Sequence, residues 1–432
     1  MTRPLAIIFG GVLIAGGVLW LTLRPRGDAE SLEVTAKELP ALALPKLAAD
    51  DWPCWRGPRG DNSVGEQKIP TTWTETENVV WKTAIPGRGH STPIFFGNRV
   101  FLTSADENNP RQFAMALDRA KGTKLWETTV HQGGFVPKHP DNSQASGTPA
   151  CDGERLFVVF PNNRAIHVTA LDLGGMIVWK REVGPHGGNG AHGSGTSLAI
   201  GGSYLFVSDD SPGRAWIAAI HRGTGEIAWR KDRASKIGSY GSPLAITMNG
   251  KLRVLLPGSG KVTCYDGTTG NVVWERDGLS DAIGNTVGLT DTLIFASSGF
   301  PQRKLLALNY DGSVAWRKDN GNDIPYPPTI ACVDSKAFIV SDQGFVTCVE
   351  SATGKQLWKE RLGGSFYSSP LIVGKNIYAS SREGVTTVFE ASGDGFKEVA
   401  KNKLPGGINA SPVAVGNRLY VRTATHLYCF GK

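Results

Sequence analysis

The chain has little of what marks several common protein classes. Its 432 residues include four methionines and six cysteines, and no two cysteines are closely spaced. That spacing argues against a zinc ribbon, a Cys-x-x-Cys redox site and a disulfide scaffold. The formal charge is +7, but no run of Lys and Arg occurs. The basic residues therefore predict a solvated surface and no nucleic-acid partner.

Long apolar stretches are also scarce, and only one is long enough to span a membrane. Leu5 to Leu23 carries no charge, and at about 1.5 Å per residue it matches a bilayer core of about 30 Å. A cleaved signal peptide would have a shorter apolar core and a small-residue cleavage site, whereas Trp20 and Arg24-Pro-Arg26 follow here. We therefore expect an uncleaved, single-pass anchor.

This anchor divides the chain into three predicted parts. Residues 1–27 form the anchor, residues 28–51 a tether with a helical turn or two near Ser31–Leu39, and residues 52–432 the folded body. Arg residues flank both sides of the apolar stretch, so charge does not decide its orientation. The anchor and the family resemblance described below place the body in the periplasm or another extracytoplasmic space.

The abundant residues are 54 Gly and 12 Trp, which suit short strands joined by tight turns. Asp266–Trp274 opens with an acidic residue, turns at Gly270 and closes with a Trp, and this pattern recurs. A repeat of this length predicts a propeller or solenoid. The closing residues are Trp81, Trp126, Trp179, Trp229, Trp274, Trp316 and Trp358.

The two ends of the chain complete the repeat count. A unit that starts at Ser369 has lost its Trp, and the last unit, which starts at Ser411, ends before its fourth strand. Asn78–Trp81 has no unit before it and supplies that strand, which also removes a free sheet edge. Seven complete units and one shared unit predict an all-β, eight-bladed propeller. In the Ser369 unit the first three strands are predicted at Ser369–Val373, Asn376–Ser380 and Gly384–Glu390.

The Ala-Leu-Asp-x-x-x-Gly-x-x-x-Trp repeats resemble the pyrroloquinoline-quinone-like (PQQ-like) propeller repeat. That repeat occurs in quinoprotein dehydrogenases and in a non-enzymatic outer-membrane assembly lipoprotein. Trp52-Pro-Cys-Trp-Arg-Gly-Pro58, followed by residues 80–93, looks still more like a group of uncharacterised exported propellers. The resemblance covers Trp52 to Lys432 and implies the fold more specifically than the function.

Two recurrent residues have structural explanations. A Trp on each fourth strand fills the wedge between blades, and the Gly provides a turn with positive φ. Cys264, Cys348 and Cys429 share a repeat position that is Ala in other units. We interpret these thiols as small core residues.

One mouth of the central channel is the predicted functional face. The residues at the start of each innermost strand, about two before a Ser or Thr, should line it: His90, Ser146, Gly195, Tyr240, Asn285, Pro325 or Tyr326, Tyr367 and Asn409. The Trp spacing lengthens to 53 residues from 126 to 179 and to 50 from 179 to 229. Long connections into the second and third blades should therefore add further polar side chains beside Arg88: His131, His139, Asn142, His186, Asn189 and His192.

Such a face suits a polar or anionic ligand, a protein partner or a metal ion. Alternatively, its polar residues only satisfy backbone groups, and the Gly/His-rich connections bind nothing. Because loops commonly carry function, we retain the binding hypothesis.

Two functions follow from these observations. The first is a membrane-tethered scaffold that binds a protein or ligand, without catalysis, cofactor or metal. The second, implied by the resemblance, is a dehydrogenase holding PQQ and calcium on the axis beside a carboxylate. Family dehydrogenases commonly have an adjacent Cys-Cys pair and larger insertions, which this chain lacks. The nearby acids are only Asp141, Asp209 and Asp210, so we favour the scaffold and assign no catalytic residue.

Overall fold

The computed structural model describes residues 31–43, 46–187 and 192–432. The predicted anchor and Asn189 lie outside the described residues. Within the described ranges all regular secondary structure is β-strand, and none of it is a helix able to cross a membrane. Residues 32–432 form one compact unit.

Eight sheets make up this unit, and the innermost strands of neighbouring sheets contact one another. Two N-terminal strands precede the blades: β1 (Ser63–Val64) and β2 (Val79–Ala84). The first four blades contain the strands that follow. Blade 1 comprises β3 Ile94–Phe96, β4 Arg99–Asp106, β5 Arg111–Asp118 and β6 Lys124–Gln132. Blade 2 comprises β7 Ala150–Cys151, β8 Arg155–Asn162, β9 Ala165–Asp172 and β10 Ile177–Pro185. Blade 3 comprises β11 Ala199–Gly201, β12 Tyr204–Asp209, β13 Ala215–His221 and β14 Ile227–Arg233. Blade 4 comprises β15 Leu244–Met248, β16 Lys251–Gly258, β17 Lys261–Asp266 and β18 Val272–Asp277.

The remaining blades repeat this order. Blade 5 comprises β19 Gly288–Leu289, β20 Leu293–Ser298, β21 Lys304–Asn309 and β22 Val314–Asp319. Blade 6 comprises β23 Ala331–Val333, β24 Lys336–Val340, β25 Phe345–Glu350 and β26 Gln356–Arg361. Blade 7 comprises β27 Leu371–Val373, β28 Asn376–Ser380, β29 Val385–Glu390 and β30 Glu398–Lys403. Blade 8 contains β31 Val413–Val415, β32 Arg418–Arg422 and β33 His426–Phe430.

The N-terminal strand β2 closes the ring by completing blade 8. It pairs antiparallel with β33, and Trp81 lies opposite Cys429. The eight-bladed architecture and the shared blade are therefore confirmed. The predicted strands of blade 7 also agree with the structure to within two residues.

The Asp–Gly–Trp repeat forms a contact between neighbouring blades. In the Asp266 turn the carboxylate accepts hydrogen bonds from the N–H groups of Thr268 and Thr269. Gly270 has φ +72°, and a Cβ there would come within 2.6 Å of the Trp229 ring from blade 3. The Trp229 indole N–H also donates to the carbonyl of Gly267 at 3.0 Å. The repeated Gly thus serves the turn and receives the tryptophan of the preceding blade.

The predicted small core position lies opposite these tryptophans. Cys264 faces Trp274 across β17 and β18, as Ala307 faces Trp316 in the next blade. Burial raises the pKa of the Cys264 thiol to about 11. All six cysteines are free.

Blade 7 replaces its missing tryptophan with one from the N-terminal arm. Ala400 pairs with Val388, the position that a Trp occupies in other blades. Trp73 packs against the rings of Tyr378 and Phe430, with centroids 6.3 and 5.2 Å away. Its backbone N–H donates to the Asn402 side chain. One aromatic ring therefore fills the wedge between blades 7 and 8, although it comes from a distant part of the sequence.

Residues 52–64 cross the central channel below the predicted mouth, and we call them the plug. Trp52 forms backbone hydrogen bonds in both directions with Phe95 on β3. At the other end β1 pairs parallel with β27, with Ser63 opposite Ile372. Trp52, the aromatic residue at the start of the plug, is therefore buried inside the ring.

The preceding segment, residues 32–43, lies along the outer edge of blade 3. Val34 exchanges backbone hydrogen bonds with Arg230, and Lys37 N–H donates to the Ala228 carbonyl. The helical turn predicted near Ser31–Leu39 is therefore wrong. The outer edge of blade 3 offers unpaired backbone N–H and C=O groups to this segment. An extended segment can pair with these groups, whereas a helix cannot.

Candidate functional site

A cavity of about 320 Å³ lies on the propeller axis at the predicted mouth. In every blade the innermost strand starts two residues after a Ser or Thr, and most of these hydroxyl residues line the cavity. Trp55, in the middle of the plug, forms its floor. The channel is therefore a pocket that opens on one side.

The hydroxyl residues connect neighbouring blades. In six of the eight steps the backbone N–H of one blade donates to the hydroxyl of the next, at 2.9 to 3.2 Å. The acceptor oxygens form the axial hydroxyl ring, which consists of Thr92, Thr148, Ser197, Ser242, Ser369 and Ser411. This pattern makes the ring part of the structure that holds the blades together.

Blades 4, 5 and 6 depart from that pattern. The Thr286 hydroxyl donates to the Ser242 carbonyl at 2.6 Å, and the Thr329 hydroxyl is buried without a partner. Here Asn285 connects the blades, since its amide N–H₂ donates to the Tyr326 carbonyl at 2.8 Å. The axial hydroxyl ring is therefore interrupted at blades 5 and 6, where the Asn285 amide replaces a hydroxyl as the link between blades.

In blades 5 and 6 the mouth position, two residues before the Ser or Thr, differs from the sequence prediction by one or two residues. Counting two residues back from Thr286 and Thr329 gives Gly284 and Pro327, not Asn285 and Pro325 or Tyr326. The error arose because these blades lack the Ser-Pro or Thr-Pro pair that marks the position in five of the other six. Asn285 and Tyr326 nevertheless line the cavity beside Gly284 and Pro327.

Most of the predicted site residues meet in this cavity. The lining includes His90, His139, Asn142, Ser146, His192, Gly195, Tyr240, Asn285, Tyr326, Tyr367 and Asn409. Arg88 lies beside it and donates to the Pro140 carbonyl at 2.6 Å. Sequence reasoning missed Trp55 and Asp342, which also line the cavity. Trp55 belongs to the plug and Asp342 to the hairpin between β24 and β25, whereas the mouth was predicted from strand entries and long connections.

Two predicted histidines lie elsewhere, which corrects their placement. His131 is on the outer strand β6, with its ring 5.0 Å from that of His167. His186 follows β10, and its Nδ1 is 2.6 Å from an Asp209 oxygen in a small hollow behind the cavity. Strands β6 and β10 have nine residues, whereas the outer strands of blades 4 to 7 have six. The longer repeats are thus partly longer strands rather than longer connections.

The long connection 133–149 and residues 192–198 of the next connection partly cover the cavity. The rings of His139 and His192 stack with centroids 5.1 Å apart, and His192 also meets Tyr240 edge-on at 5.7 Å. The Asn142 side chain donates to the carbonyls of His192 and Ser194. These contacts join the two connections above the hydroxyl ring.

His90 is a neutral imidazole in the cavity wall. Burial, together with nearby cations of which Arg88 acts most strongly, lowers its pKa to about 3. Its Nε2 lies 3.2 Å from the Asn409 amide nitrogen, so the neutral ring accepts this hydrogen bond. The Asn409 Oδ1 atom is buried without a partner.

Both carboxylates that line the cavity pair with arginines. Asp141 lies 2.7 Å from Arg382 of blade 7, and Asp342 receives two hydrogen bonds of 2.7 Å from Arg303. Calcium sites in proteins are built from oxygen ligands in which carboxylates are prominent, and here both carboxylates are already paired. The described residues also contain no cluster of three or more His, Cys, Asp or Glu that could hold a metal. The donor set therefore does not fit the calcium–quinone pair that the resemblance implies.

The fold and this axial pocket define the chain as a PQQ-like eight-bladed propeller. The family model described as "Outer membrane protein assembly factor BamB" matches residues 65–189, 164–322 and 301–424. The chain belongs to this family. A comparison with curated protein sequences finds no match.

Solved structures share the fold at low identity. BamB from Moraxella catarrhalis has 16% identity and a TM-score of 0.59, with 82% of this chain and 97% of that one covered. The quinohemoprotein alcohol dehydrogenase from Comamonas testosteroni has 11% identity and a TM-score of 0.63, covering 89% and 81%. The dehydrogenase ADHIIG from Pseudomonas putida HK5 has 11% identity and a TM-score of 0.63, covering 89% and 80%. These neighbours include enzymes and an assembly factor, so they support the architecture and leave the activity to be argued from the site.

Proposed function

We propose that this chain is an extracytoplasmic binding propeller, tethered to a membrane, that takes a small ligand in its axial cavity and does not catalyse a reaction. The observation that carries the proposal is the closed-bottomed cavity lined by residues from every blade. A concave pocket with apolar walls and a few polar groups is the usual form of a small-molecule site.

The side chains around the cavity favour binding over catalysis. His90 is held neutral and buried beside Asn409, while Asp141 and Asp342 are occupied by arginines. A general base needs access to the proton that it removes and a pKa near the working pH. His90 is buried and both carboxylates are held by arginines, so all three groups are better suited to fixing the orientation of a ligand than to removing its proton.

A ligand screen with a blocked-cavity variant tests this proposal. A Cβ at Gly195 would meet no atom within 4 Å, so Gly195→Trp fills the cavity with little strain. The full-length protein in detergent is screened by thermal shift against sugars, carboxylates, amino acids, nucleosides, and PQQ with calcium. We expect a saturable ligand whose stabilisation is lost in Gly195→Trp.

The matched control is Gly65→Trp, because Gly65 is exposed and a Cβ there also meets no atom within 4 Å. This variant should retain the ligand response. If every ligand stabilised Gly195→Trp as well as the unaltered protein, the cavity would not be the binding site. Saturable PQQ binding with calcium-dependent reduction of a dye by an alcohol would instead support the dehydrogenase alternative.

The membrane part of the proposal depends on residues 5–23 and needs a separate experiment. Membranes from cells producing the full chain are washed with alkaline carbonate, and intact spheroplasts are treated with protease. The proposal requires the chain to stay with the membrane and its body to be cut from outside. Release by carbonate, or protection of the body from protease, would contradict it.

A further inference from the structure

The axial hydroxyl ring presents hydrogen-bond donors to the cavity. Each of its six oxygens accepts a backbone N–H from the neighbouring blade, and within the described residues none donates to another protein group. A Ser or Thr hydroxyl has one proton to donate besides its acceptor lone pairs. Several O–H groups are therefore available to acceptor atoms of a ligand on the axis.

The charge around the cavity is positive. Four nearby cations lower the pKa of His90: Arg88, Lys138, Arg382 and Arg422. Asp141 and Glu107 pair with two of these cations. Arg422 is buried and bonds only to Ser91 and to the Thr103 carbonyl within the described part of the chain. Because these cations outnumber the carboxylates that pair with them, the cavity favours an anionic ligand group over a cationic one.

The walls add flat aromatic surfaces and, among the described residues, two unused acceptors, Asn285 Oδ1 and Asn409 Oδ1. Trp55, Tyr240, Tyr326 and Tyr367 line the cavity, and such rings pack against the C–H faces of small cyclic ligands. The unpartnered Asn409 Oδ1 requires a donor, and a ligand hydroxyl supplies one. At about 320 Å³, the cavity is near the lower end of the usual range of about 300–1,000 Å³ for ligand sites.

We propose that the axial cavity binds a sugar acid, that is, a hydroxylated ring bearing one carboxylate. The carboxylate accepts hydrogen bonds from the axial hydroxyl ring, a ligand hydroxyl donates to Asn409, and the ring packs on Trp55. This inference rests on the proposed function and names its ligand class.

Titration calorimetry with the full-length protein in detergent tests the inference. The probes are D-glucuronate, D-glucose as its neutral counterpart, and benzoate as a flat carboxylate without hydroxyls. We expect D-glucuronate to bind at least tenfold more tightly than either, because a hydrogen bond to a charged group is stronger than one to a neutral group. Its affinity should also fall as salt is added.

A hydroxyl variant tests the proposed contacts. Ser411→Ala removes one donor from the ring and should weaken D-glucuronate binding roughly tenfold, with little change for D-glucose. Ser104→Ala is the matched control, since Ser104 is buried and donates to the Pro86 carbonyl away from the cavity. If Ser411→Ala fails to fold, Ser197→Ala serves in the same way.

Each outcome decides one part of the inference. Equal affinity for D-glucose would overturn the role of the charge, and equal affinity for benzoate would overturn the role of the hydroxyls. If D-glucuronate fails to bind while another screened compound is lost in Gly195→Trp, the sugar-acid inference fails and the proposed function stands. If no screened compound depends on the cavity, both fail.

Discussion

Asp141 and Arg382 lie 2.7 Å apart although they belong to distant parts of the ring. Asp141 is in the connection from blade 1 to blade 2, and Arg382 is in a hairpin of blade 7. The Arg382 guanidinium also stacks on the Tyr367 ring, 4.3 Å from its centroid. The ion pair therefore holds connection 133–149 over the cavity. The hydrogen bond that Arg382 donates to Asp141 is the main reason why the pKa of the Asp141 carboxyl is lowered.

We expect Arg382→Met to loosen connection 133–149 without unfolding the propeller. The pair is partly exposed, so its loss should change the free energy of unfolding by no more than about 1 kcal/mol. Hydrogen exchange should increase in the connection and remain unchanged in the blade strands. Arg317→Met, which removes an exposed arginine near Asp319, is the control. Unchanged exchange in the connection would show that other contacts hold it.

Protonation of Asp141 should have the same effect as Arg382→Met. Because the folded pKa lies below the unfolded value, the contribution of the pair is present above the unfolded pKa and is lost as pH falls through the folded one. Exchange in connection 133–149, corrected for the intrinsic rate, should thus rise in acid. The rise should be absent from Arg382→Met, in which the pair is already broken.

Gly270 and Gly250 form a matched pair for testing the contact between blades. Both have positive φ, +72° and +71°, but a Cβ at Gly270 would strike the Trp229 ring whereas one at Gly250 would meet nothing within 4 Å. Gly250→Ala should cost roughly 1–2 kcal/mol, for the backbone conformation alone. Gly270→Ala should cost roughly 2–5 kcal/mol, because overpacking adds to it. Equal losses in chemical denaturation would mean that the Trp contact does not constrain the turn.

A double-mutant cycle tests whether Trp73 replaces the tryptophan missing from blade 7. Trp73→Ala should destabilise the protein by roughly 3–5 kcal/mol, as expected for a large buried aromatic. Ala400→Trp in the unaltered protein should also destabilise, because the wedge is already full. Combining the two should recover part of the loss. Simple additivity would place the two side chains in separate sites.

Buried neutral histidine should make the fold less stable in acid. The pKa of His90 is about 3 when folded, compared with about 6.5 in an unfolded chain. Between these values only the unfolded chain takes up the proton, so stability falls as pH decreases from about 6.5 to about 3. The pKa of His131 is lowered to about 3 in the same way.

His90→Gln should reduce this pH dependence by up to about 1.4 kcal/mol per pH unit. Urea denaturation at several pH values between 4 and 7 measures the slope. His426→Gln serves as a control, because His426 is only partly buried. An unaltered slope in His90→Gln would contradict a buried neutral His90.

The sequence predicts the parts of the fold that repeat. Trp and Gly recur because every wedge between blades has the same shape. A contacting pair such as Trp229 and Gly270 therefore indicates two neighbouring blades. The mouth follows from the same regularity, since hydroxyl residues recur two positions before the innermost strands.

The parts that occur once are less predictable. The plug and Trp73 depend on contacts with residues more than 300 positions away, such as Asn62 with Pro370 and Trp73 with Asn402. No local periodicity records such contacts. His131 was misplaced for a related reason, because spacing alone does not distinguish a longer strand from a longer connection.

Ring closure also sets the order in which the site can form during synthesis. Thr92 and Ser411 share a hydrogen bond across 319 residues of sequence, and β2 has no partner strand until β33 has been made. Strand β2 leaves the ribosome before any other blade strand, but its partner strand is the last to be synthesised. Closing such a distant contact is slow compared with pairing adjacent strands. The axial cavity therefore exists only in a chain whose C-terminal blade has been synthesised, so an unfinished or truncated chain has two open sheet edges and no binding site.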